Sequence, residues 1–128
     1  MKTHQYELID EKVFEHEFDN GLKLFVIPKP GFQKTYVTYT TQFGSLDNHF
    51  KPIGSQQFVK VPDGVAHFLE HKLFEKEDED LFTAFAEENA QANAFTSFDR
   101  TSYLFSATSN IESNIKRLLN MVETPYFT

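Results

Sequence analysis

The chain contains no cysteine and no tryptophan, it has no long apolar run, and its basic residues are outnumbered by acidic ones. Without cysteine, a disulfide framework and a thiolate metal site are both excluded, so any zinc ion must be bound by histidine and carboxylate. A transmembrane helix would need about 18 consecutive apolar residues, and no such run is present. The net charge of −7 argues against nucleic acid and anionic membranes as partners.

The first residues show neither of the two common targeting patterns. Met-Lys-Thr-His-Gln-Tyr-Glu lacks the apolar core of a signal peptide and the Arg-rich, acid-poor composition of a transit peptide. A soluble cytoplasmic protein is therefore expected. Of the 128 residues, 40% are hydrophobic and 15 are Phe, which predicts one globular domain with its own core.

Residues 67–71 read His-Phe-Leu-Glu-His, and they carry the strongest chemical signal of the chain. Because residues three and four apart share one face of a helix, His67, Glu70 and His71 are expected to lie together. Two imidazoles at this spacing can bind one metal ion, and a carboxylate beside metal-activated water is the working core of a zinc peptidase. The order His-x-x-Glu-His is that of the inverzincins. The spacing alone also fits a surface helix that carries two histidines by chance.

The helix that carries this motif is predicted from about Gly64 to Phe74, with Asp63 as the candidate N-cap. On a helical wheel, Phe74 falls beside the two histidines and Glu70. The opposite side is apolar and consists of Val65, Phe68, Leu69 and Leu73. This apolar side is expected to face the core, so the polar arc should point away from the core into a cleft.

The rest of the pattern predicts an α+β fold, with a mostly antiparallel sheet and helices packed on one side of it. Strands are predicted at residues 13–18, 22–28, 35–43, 58–61 and 100–108. Further helices are predicted at 81–90 and from a capping box at 109–112 to Pro125. Asn20-Gly21 predicts a hairpin between the first two strands, and part of the second is expected to be buried on both faces. The acidic residues 75–80 are expected to form a solvated loop ending in a cap at Asp80, not a second metal site.

The motif and its surroundings resemble the pitrilysin, insulysin and mitochondrial-processing-peptidase family of zinc metallopeptidases. Three signatures carry the resemblance: Gly64-Val65-Ala66-His67-Phe68-Leu69-Glu70-His71, Asn93-Ala94-Phe95-Thr96 and Thr101-Ser102-Tyr103. The closing helix with Pro125-Tyr126-Phe127 is also similar. Lys72 and Glu75 replace the Met and Gly that are common around the family's motif, and the loop from 44 to 63 looks longer. These departures suggest a divergent bacterial-type branch.

The resemblance implies a role for each matching residue. His67 and His71 are implied to be zinc ligands, and Glu70 is implied to be the general base that activates zinc-bound water. Asn93 and Ala94 are implied to lie on an edge strand that binds the extended backbone of a peptide substrate. From the sequence alone, Asn93 would instead be interpreted as a turn residue after the helix at 81–90. Thr101 and Tyr103 are expected to be structural.

The length of the chain departs from the family pattern. Only 57 residues follow His71 (128 − 71), and the family's third zinc ligand, a Glu, is expected beyond residue 128. Residues 1–128 are therefore expected to be a single partial domain, the N-terminal part of the catalytic domain, without that ligand and without the homologous second domain. We expect this fragment to bind zinc weakly or not at all and to be inactive.

For the full-length protein, the resemblance implies a zinc-dependent endopeptidase that acts on peptides or small proteins. The alternatives are a non-catalytic structural or substrate-binding subunit of a peptidase complex, and a metal-binding module without hydrolysis. The intact set of His67, Glu70 and His71 argues against a purely structural subunit. The expected partners are a peptide substrate, the remainder of the chain with its second domain, and a homo- or hetero-dimeric partner.

Overall fold

A computed structural model describes residues 1–127, and the chain divides into two units between Gln33 and Lys34. The strands of the described residues are β1 Lys2–Tyr6, β2 Glu11–Glu17, β3 Lys23–Val26, β4 Thr35–Thr41, β5 His49–Phe50, β6 Val59–Lys60, β7 Ala90–Thr96 and β8 Thr101–Ala107. The α-helices are α1 Val65–Leu73, α2 Leu81–Glu87 and α3 Ile111–Glu123, and a 3-10 turn spans Glu7–Ile9. Every strand pair is antiparallel, which confirms the predicted α+β class.

The first unit is a three-stranded sheet in the order β1-β2-β3. The predicted hairpin between β2 and β3 is confirmed: Gly21 has a φ of 90°, and the Phe18 amide donates to the Leu22 carbonyl at 2.8 Å. None of residues 1–33, all of which the structure describes, is buried. The prediction that part of the second strand is buried on both faces is therefore wrong, because this unit has no helix layer to cover the sheet.

The second unit contains a three-stranded sheet in the order β4-β8-β7 and a separate two-stranded ladder of β5 and β6. Strand β8 is central, and its register pairs Phe105 with Val37 on β4 and with Ala92 on β7. Since side chains alternate along a strand, Tyr103 and Ala107 share the face of Phe105. All three are buried in the hydrophobic core.

All three helices contact the core sheet. Helix α1 packs on β7 and β8, α2 packs on β7, and α3 packs on β4 and β8. The central contact is between Phe85 of α2 and Phe105 of β8, whose ring centroids lie 5.8 Å apart and which are both fully buried. Burying one such side chain stabilises the fold by about 1.5–3 kcal/mol. The predicted arrangement of helices on one side of a mostly antiparallel sheet is confirmed.

Only one of the three predicted helix caps is found. Asp80 caps α2, since its side chain accepts a hydrogen bond from the Phe82 amide at 3.0 Å. Asp63 does not cap α1, because the N-cap is Gly64 at a φ of 90° and the Asp63 carboxylate accepts from Asn48 instead. The predicted capping box at 109–112 is also wrong.

The start of α3 is held by different hydrogen bonds from those of a capping box. Its N-cap, Asn110, has a φ of 56° and makes no side-chain cap. The Asn110 amide group donates to the Glu88 carbonyl at 3.3 Å, and the Ser109 hydroxyl accepts from Asn89 at 3.4 Å. These bonds connect the beginning of α3 to the end of α2. The polar side chains at the start of α3 therefore form hydrogen bonds with residues that follow α2, instead of with the amides of their own helix.

Helix α1 is rotated relative to the predicted wheel. Phe68, expected on the core side, is 62% exposed, whereas Phe74, expected on the polar side, is 3% exposed and belongs to the core. Glu70 is also buried, at 9% exposure. The prediction that the whole polar arc points away from the core is therefore wrong for Glu70 and Phe74.

Among the described residues, no helix is long and apolar enough to cross a membrane.

Candidate metal centre

His67 and His71 project from successive turns of α1, and both are exposed. Their Nε2 atoms lie 3.1 Å apart, and their ring planes meet at 71°. The helical rise brings them together, since residues four apart stand one above the other on the same face. Two imidazole nitrogens therefore converge on one point above the helix surface.

Glu70 completes the only group of three possible metal-binding side chains that the described residues form. Its Oε2 lies 3.6 Å from His67 Nδ1, and the candidate ligand atoms of the three residues lie within 4.8 Å of one another. Unlike the two histidines, Glu70 faces the sheet, where its Oε2 accepts a hydrogen bond of 2.5 Å from Thr96 Oγ1. The site thus combines two solvent-facing nitrogens with one buried carboxylate.

The donor set and its spacing fit zinc. Zinc binds imidazole nitrogen at about 2.0–2.1 Å, so two nitrogens at a tetrahedral angle would lie about 3.3 Å apart. The two Nε2 atoms are 3.1 Å apart, close to that separation. In addition, His67 directs its other nitrogen towards a carboxylate, an arrangement typical of zinc-bound histidine. His67 and His71 can therefore hold zinc without any rearrangement of the helix.

Tyr103 is a buried phenol in the same unit as the site. Burial, and to a lesser extent the negative charge of Glu70, raise the pKa of Tyr103 to about 12. The side chain is 5% exposed, and its ring centroid lies 6.4 Å from that of Phe74. Tyr103 is therefore a neutral core residue at ordinary pH, and its charge state is sensitive to Glu70.

Asn93 and Ala94 lie in β7, at an edge of the core sheet. The alternative in which Asn93 is a turn residue is wrong; Asn89, with a φ of 60°, makes the turn that precedes the strand. Ala94 pairs with Tyr103 and so lies on the helix side of the sheet, whereas Asn93 is exposed on the other side. The Asn93 side chain accepts a hydrogen bond of 2.8 Å from the Ala94 amide.

Thr96 was given no role by the sequence, although it contacts Glu70 directly. Alternation along a strand would have placed Thr96 on the same face as Ala94, two residues earlier. What the pattern could not supply is the rotation of α1 that turns Glu70 towards that face.

The two departures from the family motif, Lys72 and Glu75, form an ion pair with each other at 2.9 Å.

The chain is similar to a known peptidase family, to a curated bacterial protein and to a solved structure. Residues 52–128 match the family model described as insulinase, peptidase family M16. The chain is 54% identical over all 128 residues to a Bacillus subtilis protein described as the uncharacterized zinc protease YmfH, of which it spans 30%. It also superposes on a crystal structure from Alicyclobacillus acidocaldarius, described as an M16-like peptidase, with a TM-score of 0.84 and 38% identity. That match covers 92% of this chain and 27% of the other.

Proposed function

Because the chain belongs to the insulinase family, peptidase family M16, we propose that it is the N-terminal part of the catalytic domain of a zinc-dependent endopeptidase. The substrates proposed are peptides or small proteins. The observation that carries the proposal is the convergence of His67, Glu70 and His71, two nitrogens and one carboxylate within 4.8 Å of one another. The family's name indicates the reaction, and this geometry supplies two nitrogen ligands and one carboxylate for it.

Each of the three residues has a distinct part in the proposed reaction. His67 and His71 would hold zinc through their Nε2 atoms. Zinc bound there would lower the pKa of a water molecule and polarise the peptide carbonyl. Glu70 acts as the general base: it takes a proton from the attacking water and later gives a proton to the leaving amine. The carboxylate of Glu70 lies within 4.8 Å of a nitrogen of each histidine and is bonded to β7, the strand proposed to bind the peptide.

The substrate is proposed to lie along β7. An edge strand offers unpaired backbone groups to a peptide, which can add to the sheet as a further strand. Ala94 is on the helix side of this strand, and Thr96, two residues on, contacts Glu70. A peptide beside Ala94 would therefore run past the general base. The Asn93 side chain, which now accepts from the Ala94 amide, would have to release that amide for the peptide.

Two histidines leave the proposed zinc site one protein ligand short, because catalytic zinc generally has three. The described residues offer no other histidine or carboxylate in this group. The chain spans 30% of YmfH, so we propose that the third ligand and a second homologous domain belong to the rest of a longer protein. On this proposal, the 128 residues alone would be inactive and would bind zinc weakly.

A peptidase assay on the full-length protein, with and without a chelator, tests the proposed function. We expect hydrolysis of unstructured peptides that stops when zinc is removed and returns when it is restored. Glu70→Gln should abolish turnover while zinc content stays at one ion per chain, since the two histidines are untouched. Glu79→Gln, in the exposed acidic loop, is the matched control and should behave as wild type.

The outcomes separate the proposal from its alternatives. Binding of peptide without hydrolysis in the wild-type protein would favour a non-catalytic subunit. Zinc binding with neither hydrolysis nor peptide binding would favour a metal-binding module. Turnover by Glu70→Gln at a near-wild-type rate would remove Glu70 from the role of general base.

A further inference from the structure

We propose that Thr96 is a positioning residue for the general base, a role that rests on the proposed peptidase function. Its Oγ1 donates a hydrogen bond of 2.5 Å to Glu70 Oε2. The bond joins helix α1 to strand β7, which are separated by 26 positions in the sequence. Thr96 thus fixes one oxygen of the carboxylate and has no contact with the reacting atoms itself.

The hydrogen bond differentiates the two oxygens of Glu70. Oε2 accepts from Thr96 and lies 3.6 Å from His67 Nδ1, whereas Oε1 accepts no hydrogen bond from the residues that the structure describes. A base needs one oxygen free to accept a proton and needs that oxygen held at a constant position. By occupying Oε2, Thr96 leaves Oε1 as the proton acceptor and restricts rotation of the carboxylate.

Helix α1 packs on β7, and the residue two positions before Thr96 on that strand is alanine. Ala94 and Thr96 lie on the same face of β7, the face on which α1 packs. A hydroxyl that must meet a carboxylate from an adjacent helix requires close approach of helix and strand. The small side chain of alanine on the helix side of β7 is compatible with that approach.

Thr96 itself is held by the hairpin that joins β7 to β8. It pairs with Thr101, whose hydroxyl donates to the Phe43 carbonyl at 2.7 Å. The segment after Phe43 lies directly on the hairpin turn, and the Ser45 amide donates to the Ser97 carbonyl at 2.9 Å. A Cβ on Gly44 would come within 2.5 Å of that same carbonyl oxygen, so the close approach requires glycine. These contacts hold the backbone of the hairpin in place, and so they fix the position from which the Thr96 hydroxyl reaches Glu70.

A positioning hydroxyl and a purely structural hydroxyl would have different effects on the enzyme. A structural hydroxyl would affect folding and leave the kinetics of the folded enzyme unchanged. A positioning hydroxyl should affect kcat and leave KM and zinc affinity unchanged, because the Thr96 hydroxyl bonds Glu70 on the helix side of β7. The proposed peptide would pair with the backbone at the edge of that strand, and the proposed zinc ligands are His67 and His71. At metal sites, loss of a residue that holds a functional side chain in place typically costs about 10- to 100-fold in activity.

The test compares Thr96→Val, which keeps the shape and removes the hydroxyl, with Thr96→Ser, which keeps the hydroxyl, in the full-length zinc-loaded protein. Thr38→Val, at an exposed position on the opposite face of the same sheet, is the matched control. We expect kcat to fall about 10- to 100-fold in Thr96→Val, with KM and zinc affinity unchanged, and to be restored in Thr96→Ser. Should Thr96→Val fail to fold, Thr96→Ala removes the same hydroxyl with less bulk.

A crystal structure of each variant without zinc supplies a readout that needs no activity. Wild type and Thr96→Ser should show a single Glu70 rotamer with Oε2 facing β7, and Thr96→Val should show a displaced or multiply placed carboxylate. An unchanged Glu70 rotamer together with an unchanged kcat in Thr96→Val overturns the positioning role and leaves the proposed function intact. A wild-type protein without peptidase activity overturns the proposed function, and the Glu70 rotamer then decides the positioning role alone.

Discussion

The Nε2 atoms of His67 and His71 lie 3.1 Å apart, one helical turn from each other on α1. Both rings are exposed, and among the described residues these two nitrogens hydrogen-bond only with each other. Glu70, which lies between them in sequence, is turned to the other side and is bonded to Thr96. Helix α1 thus presents two imidazoles to solvent and one carboxylate to the sheet.

Loss of either histidine should abolish tight zinc binding by the full-length protein. We expect His67→Ala and His71→Ala each to weaken zinc affinity by at least about 100-fold, since the loss of a direct ligand should exceed the typical effect of changing a residue behind one. His49→Ala is the control, because His49 is exposed on β5 and outside this group. Isothermal titration calorimetry measures the affinities, and zinc affinity close to wild type in either ligand variant would contradict the assignment.

The 128-residue chain on its own should bind zinc weakly. Two imidazoles without a third protein ligand leave the remaining positions to water, whereas catalytic sites generally use three protein ligands. We expect calorimetry to show affinity at least about 100-fold below that of the full-length protein. One zinc bound at equal affinity by both would mean that Glu70 acts as the third ligand, and the general base would then have to be sought elsewhere.

The sequence predicted those parts of the fold that depend on local pattern. The Asn20-Gly21 hairpin and the motif helix follow from turn chemistry and from 3.6-residue periodicity, which operate over a few residues. The cap at Asp80 is similarly local, since a side chain accepts from an amide two residues away. By contrast, β1 and β5 were missed, because short exposed strands have little apolar alternation to reveal them.

The site was predictable as a set of residues but not as an arrangement. The spacing of His67, Glu70 and His71 predicted that they share one face of the helix. It did not predict which of the three side chains would be buried against the sheet. That rotation depends on the packing of α1 against β7 and β8, where Phe74 enters the core and Phe68 does not. The contact between Glu70 and Thr96 follows from this rotation, and tertiary packing of that kind leaves no periodic signal in the sequence.

The two aspartates that were candidate helix caps should differ in their effect on stability. Asp80→Ala removes the hydrogen bond to the Phe82 amide and should lower the free energy of unfolding by about 1 kcal/mol. Asp63→Ala removes no cap, only an exposed bond from Asn48, and should change stability by less than about 0.5 kcal/mol. Urea denaturation of the 128-residue chain measures both, and equal losses would contradict the cap assignment.

Alkaline conditions should destabilise the chain through Tyr103. Its pKa is raised to about 12 in the folded protein, from the ordinary value of about 10. The stability that the neutral buried phenol contributes is therefore fully present below pH 10 and is lost as the pH rises through 12. A shift of this size corresponds to about 2–3 kcal/mol.

The measurement is a urea denaturation series between pH 9 and pH 12, approximately the window set by the two pKa values. We expect wild type to lose stability across this window and Tyr103→Phe to lose distinctly less, because phenylalanine has no proton to release. Tyr36→Phe is the matched control, since Tyr36 is 64% exposed on β4 and should follow wild type. If Tyr103→Phe declined as steeply as wild type, another group would be responsible for the alkaline transition.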